Sequence, residues 1–158
     1  MNRLLFAVVL GIFLTGCATK YGEMGFSGGV RAEQVTSDIW RVIARGNGYT
    51  QSSRVQDFVL LKSAELTLEQ GGTHFVIAGS QDQASVGVVT TPGTATVNRI
   101  GNTAFVTSTP GYSETVVKPG QDAYVRVIKV AAGQQPPPGA FNAAEIDKIV
   151  GGRLRAQQ

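Results

Sequence analysis

The chain opens with apolar or small residues from 4 to 14, LLFAVVLGIFL. As a helix they would extend about 16 Å at roughly 1.5 Å per residue, short of the roughly 30 Å of hydrocarbon that a spanning helix must cross. Residues 18–29, ATKYGEMGFSGG, then show no periodicity and read as a flexible tether. From residue 30 to 47 the pattern alternates. Ile39, Arg41, Ile43 and Arg45 fall on one side, Trp40, Val42 and Ala44 on the other. This predicts two strands joined near Thr36, Ser37 and Asp38 as an antiparallel hairpin.

Helical spacing follows. Ser53 and Gln56 have the separation of a capping box, Gly71 and Gly72 supply a left-handed stop, and one helix of about five turns lies between them. Its main stripe is Leu60, Leu61, Ala64 and Leu68, while Val55, Phe58, Val59 and Leu66 spread beyond it, as expected of a helix covered on more than one side. Residues 73–79, THFVIAG, and 123–131, AYVRVIKVA, read as two further strands. Near the C-terminus, Asn142 and Glu145 repeat the capping spacing and open a short helix through Ala144, Ile146, Ile149 and Val150, which Gly151 and Gly152 end. The fold class is therefore α+β: a small antiparallel sheet of about four strands, one main helix packed on it and a short C-terminal helix.

Between the third and fourth strands lies a low-complexity insertion, residues 80–121. Thr and Val favour strands, and the runs VGVVTT, TATVNRI and TAFVTST are separated by the turn signals PG and GN, which allows a β-arm. Low charge and high Gly, Ser and Thr content also allow a segment that stays disordered, or in partial hairpins, until bound. Either form could add a strand to the open edge of an envelope protein partner.

The chemistry of the N-terminus changes the picture. Asn2 and Arg3 form a brief basic head before the apolar run, and small residues follow where a signal peptidase must bind. Leu14, Thr15, Gly16 and Cys17 resemble the lipobox of bacterial lipoproteins. Cys17 is the chain's one cysteine, and its thiolate is the side chain there able to take a diacylglyceryl group through a thioether. The resemblance implies cleavage before Cys17 and further acylation of the new amino group, with a fatty acid such as palmitate. Two or three chains are needed for stable membrane binding. Ala18 rather than an aspartate follows, which by the rule of enteric bacteria implies the outer membrane. The expected organisation is a lipoprotein signal peptide at 1–16, a lipidated N-terminus and tether at 17–29, one domain at 30–150 and a basic tail at 151–158.

Composition narrows the function. The formal charge of +3 falls to +2 when Arg3 leaves with the signal, and no dense basic cluster remains, so nucleic acid is not an expected partner. Without a second cysteine there is no internal disulfide and no thiolate zinc site. His74, the one histidine, alternates with Phe75 and should point away from the core. Glu65 and Glu69 share a helical face four residues apart, but Lys62 beside them favours a solvated charged face over an acid/base pair. Gly46 and Gly48 before the helix suggest a phosphate cradle. Yet the third glycine of the dinucleotide fingerprint is missing and no P-loop lysine follows. The loop Gly46, Asn47, Gly48, Tyr49, Thr50 is still the one candidate binding loop. Arg153 and Arg155 could attract acidic headgroups.

RGNGYT at 45–50, LLKSAELTLEQGGTHFVI at 60–77, KPG at 118–120 and the glycine-rich start after the lipobox together look like the alphaproteobacterial lipoproteins called the CC0125/CC1285 family. One departure is that Val30 and Arg31 stand where an aromatic-rich first strand is expected. The resemblance implies an envelope lipoprotein and brings no catalytic residues. The expectation is a membrane-anchored protein without catalytic activity, cofactor or metal, a structural or partner-binding module that holds or recognises a partner at the periplasmic face of the outer membrane. The alternative is a small-ligand or stress-sensing periplasmic module.

Overall fold

The computed structural model describes residues 18–100 and 103–157, with the side chain of Ile100 left aside. Leu14, Thr15, Gly16 and Cys17, on which the lipobox expectation rests, lie outside the described residues. The chain divides into two compact units, residues 1–85 with 118–158, and residues 86–117.

The first unit is α+β. Strands β1 (Gly29–Gln34) and β2 (Ile39–Arg45) form the expected hairpin, with Gln34 opposite Trp40. Its turn is closed by Val35 and Thr36 N–H donating to Ile39 O and by Thr36 Oγ1 donating to Asp38 Oδ1 at 3.0 Å. Helix α1 (Ser52–Glu69) follows, then β3 (His74–Asp82). Strand β8 (Gly120–Ile128) inserts between β2 and β3, antiparallel to both, and a two-residue strand, β9 (Phe141–Asn142), borders β3. The order is β1-β2-β8-β3-β9, a five-stranded sheet where about four strands were expected.

Alternation decides which side of the sheet is dry. Val30, Val42, Ala44, Phe75, Ala123 and Val125 meet Val55, Phe58, Val59, Leu61 and Ala64 of α1 in one core. On the opposite face Arg31 and Arg41 flank Glu33, Arg45 lies 2.6 Å from Asp122, and Arg126 lies 3.2 Å from Asp38. Arg41 holds the Glu33 carboxyl below the usual carboxylate range. That face is a solvated lattice of ion pairs.

Helix α1 departs from its expected start and stripe. Gln51, not Ser53, is the N-cap, and no side chain caps that end. Leu68 is exposed, whereas Ser63 and Thr67 are fully buried. Each polar pair satisfies itself within the helix: Ser63 Oγ donates to Val59 O at 2.6 Å and Thr67 Oγ1 to Ser63 O at 2.7 Å. A hydroxyl bonded this way joins the core at little cost, so hydropathy alone misplaces the buried side. The C-terminus is as expected. Gly71 at φ +68° donates to Leu68 O, and Gly72 donates to Thr67 O at 2.8 Å, the paired bonds that satisfy terminal carbonyls.

The C-terminal helix also differs from expectation. Asn142 caps α2 (Ala143–Ile146) by accepting from Glu145 N–H at 3.1 Å. Gly151 and Gly152 keep right-handed helical φ values, and the helix passes through a π turn (Asp147–Gly151) into α3 (Gly152–Arg155). Leu154 is buried, Arg153 pairs with Asp57 at 2.7 Å, and Arg155 pairs with Asp147 at 2.7 Å. Residues 151–155 are thus a docked helix rather than a loose basic tail.

The second unit is a pair of two-stranded ladders: β4 (Ser85–Thr91) with β7 (Tyr112–Lys118), and β5 (Thr94–Ile100) with β6 (Thr103–Thr109). Of the two forms open to residues 80–121, this is the strand-built one. The dipeptides Pro92-Gly93 and Pro110-Gly111 separate the ladders, and each glycine faces the other's backbone. A Cβ on Gly93 would meet Gly111 N at 2.7 Å and Thr109 O at 2.8 Å. They are opposed breaks in one ribbon, not hairpin turns between neighbours.

Candidate functional site

Thr19 lies two residues beyond the expected acylation site, and the fold grips it. Its N–H donates to Thr50 Oγ1 at 2.9 Å, its hydroxyl donates to Ser27 O at 2.7 Å and accepts from Asn47 N–H at 2.9 Å, and its carbonyl accepts from Arg54 Nε at 3.0 Å. Thr19 and Thr50 are both buried. The chain then bridges back to the sheet, Glu23 beside Val30 and Gly25 beside Gly28. Residues 18–28 are pinned to the fold by hydrogen bonds, with Thr19 buried and most of the others exposed, where a flexible tether was expected. The reason is chemical: their backbone groups find partners on the 46–50 loop and on β1, and glycines admit the close approach. A Cβ on Gly28 would fall 2.4 Å from Arg45 O.

Tyr21 adds a second attachment. Its ring meets Phe58 edge-on at 5.5 Å, and its hydroxyl donates to Glu65 Oε2 at 2.5 Å. Arg155 approaches the other Glu65 oxygen at 3.5 Å, so the N-terminal segment, α1 and the C-terminal helix share one polar cluster. Burial, then the hydrogen bond to Glu65, pushes the Tyr21 phenol well above the usual tyrosine range. The residue is a latch, not a proton donor near neutrality.

The candidate loop is largely spent on structure. Asn47 Oδ1 accepts from Tyr49 N–H at 3.0 Å and from the Thr50 hydroxyl at 2.8 Å, while Gly46 N–H donates to Pro119 O at 2.8 Å. Gly46 has no room for a side chain, because a Cβ would lie 2.7 Å from Thr50 Cβ. Gly48 and Tyr49 are exposed at the loop's tip. Beside Tyr49 runs a cleft of about 300 Å³ lined by Ala18, Gln51, Ser53, Arg54, Asp57, Arg153 and Gln157. Arg54 is hydrogen-bonded to Gln157 and stacked 5.7 Å over Phe58.

The other residues weighed for chemistry are dispersed. His74 is half-buried with Nδ1 2.9 Å from Thr73 Oγ1, while Phe75 enters the core. Glu65 joins Tyr21 and Arg155, while Glu69 is exposed at the helix end. Among the described residues no group of three His, Cys, Asp or Glu side chains could hold a metal ion, and no helix is long and apolar enough to cross a membrane.

In the ribbon, by contrast, apolar side chains stand uncovered. Val86, Val88, Val89, Val97, Phe105, Val106, Tyr112 and Val117 are all exposed by half or more. Arg99 and Glu114 are the two charged residues of the 86–117 unit. Thr19, Tyr21 and Arg54 carried no sequence signal, because a grip made by backbone groups across 31 residues leaves no periodicity. Comparison with protein-family models, curated proteins and solved structures finds no match.

Proposed function

We propose that this protein is a non-catalytic lipoprotein of the cell envelope, anchored by acyl chains on Cys17 at the periplasmic face of the outer membrane, which holds a protein partner through residues 86–117. The lipobox Leu14, Thr15, Gly16, Cys17 and the likeness to the CC0125/CC1285 lipoproteins support the anchor. The uncovered ribbon carries the partner reading. A two-stranded ribbon is at best marginally stable in water, and its open edges and exposed valines suit strand addition by another chain. In-cell cross-linking and mass spectrometry of the full chain should yield an envelope protein joined to the ribbon. Replacing residues 86–117 by a short loop should remove that product. Retention of the same product would contradict the reading.

A second reading, a small-ligand module, is favoured by one feature. Gln121 Oε1 is buried with no hydrogen-bond partner among the described residues, at a cavity of about 170 Å³ that also includes Ser52, Gln56, Asp82 and Pro119 beside the 46–50 loop. Thermal-shift screening of envelope metabolites tests it, since a ligand at a hundred times its Kd stabilises by about 2.7 kcal/mol.

A further inference from the structure

The grip on Thr19 constrains how an acylated domain can meet its membrane. Consecutive Cα atoms are about 3.8 Å apart, so Cys17 Cα lies within about 7.6 Å of Thr19 Cα whatever the intervening conformation. Thr19 is buried and bonded to Thr50, Ser27, Asn47 and Arg54. An acyl chain starting at Cys17 therefore has no slack. We infer, resting on the lipid anchor proposed above, that the end of the domain around Thr19 lies directly on the bilayer, with Phe26 and Tyr49 in the headgroup layer of an anionic lipid surface.

Three observations converge on that occupant. Ala18 borders two clefts, one rimmed by Tyr49 and the other by Phe26. Phe26 is fully exposed and Tyr49 is 76% exposed. Aromatic side chains left in water are unfavourable, whereas at a headgroup layer their rings are buried and the tyrosine hydroxyl stays wet. The charges complement lipid phosphate: Arg54 and Arg153 line the first cleft with Asp57, and Lys20 lines the second, where Glu23 is offset by Lys62 at 3.4 Å. Lys20 is exposed, and Arg54 and Arg153, the latter paired with Asp57, line the same cleft as Tyr49. The docked helix, not a free tail, presents Arg153 to the lipid.

The native chain supplies an internal control. Trp40, the one tryptophan, sits five residues along β2 from Arg45, about 17 Å at roughly 3.4 Å per residue, away from the Thr19 end. The acylated mature protein and its Phe26→Trp and Tyr49→Trp variants, matched by far-UV circular dichroism melting, are reconstituted into vesicles containing phosphatidylglycerol and brominated phosphatidylcholine. Bromine quenches tryptophan at short range. The expected result is little loss of Trp40 emission in the parent and loss of most of the added emission in both variants. Co-flotation with vesicles but no quenching beyond the parent level would overturn the docking inference and leave the anchor standing. Failure to float, with a bare thiol by mass, would overturn the anchor and the inference together. Equal quenching of Trp40 in the parent would mean the domain lies differently on the bilayer, and would also overturn it.

Discussion

Thr19 and Tyr21 are small parts of the chain with large structural consequences. Thr19 has its amide, hydroxyl and carbonyl bonded to Thr50, Asn47 and Arg54, all distant in sequence, and Tyr21 ties the same segment to α1 through Phe58 and Glu65. A hydrogen bond to a charged group contributes about 1.5–3 kcal/mol, and this one is partly buried, so Tyr21→Phe should cost about 1–2 kcal/mol near pH 7, read by urea denaturation. The pH dependence has a definite sign. The folded phenol holds its proton to higher pH than the unfolded one, so its contribution is complete below about pH 10 and declines as pH rises above it. The stability gap between parent and Tyr21→Phe should therefore narrow in alkaline titration. A gap that widens above pH 10 would contradict the latch.

At the scale of elements, what the sequence revealed follows from what periodicity can report. The β1–β2 hairpin, the Gly71 stop of α1 and the Asn142 cap were legible because each depends on residues close in sequence. The buried side of α1 was not fully legible, since Ser63 and Thr67 enter the core by bonding their own helix. Gly151 and Gly152 misled for a related reason: a glycine permits a helix stop without requiring one, and packing of Leu154 carries the helix on. Leu154→Ala should cost about 2–5 kcal/mol, the range for emptying a buried leucine site, measured by thermal or urea unfolding. A free basic tail would show almost no change. Likewise the two Pro-Gly pairs signalled turns, but only the fold shows them facing each other across one ribbon.

At the scale of the molecule, one α+β unit supplies the packed core and a separate ribbon supplies exposed strand surface. Because the ribbon unit has its own ladders, replacing residues 86–117 by a short Gly-Ser loop should shift the melting temperature of the remainder by less than about 4 °C, while removing any partner bound there. A large drop would mean that the ribbon stabilises the core. The candidate site was half legible. The 46–50 loop stood out as glycines before a helix, while the grip on Thr19 and the cleft beside Tyr49 arise from contacts between distant segments. The central claim is that Cys17 is the membrane anchor, and intact-mass spectrometry of the protein extracted from membranes tests it most directly. The account predicts a chain beginning at Cys17 and carrying the added mass of a diacylglyceryl group; an unmodified sulfur, or a chain still bearing residues 1–16, would contradict it.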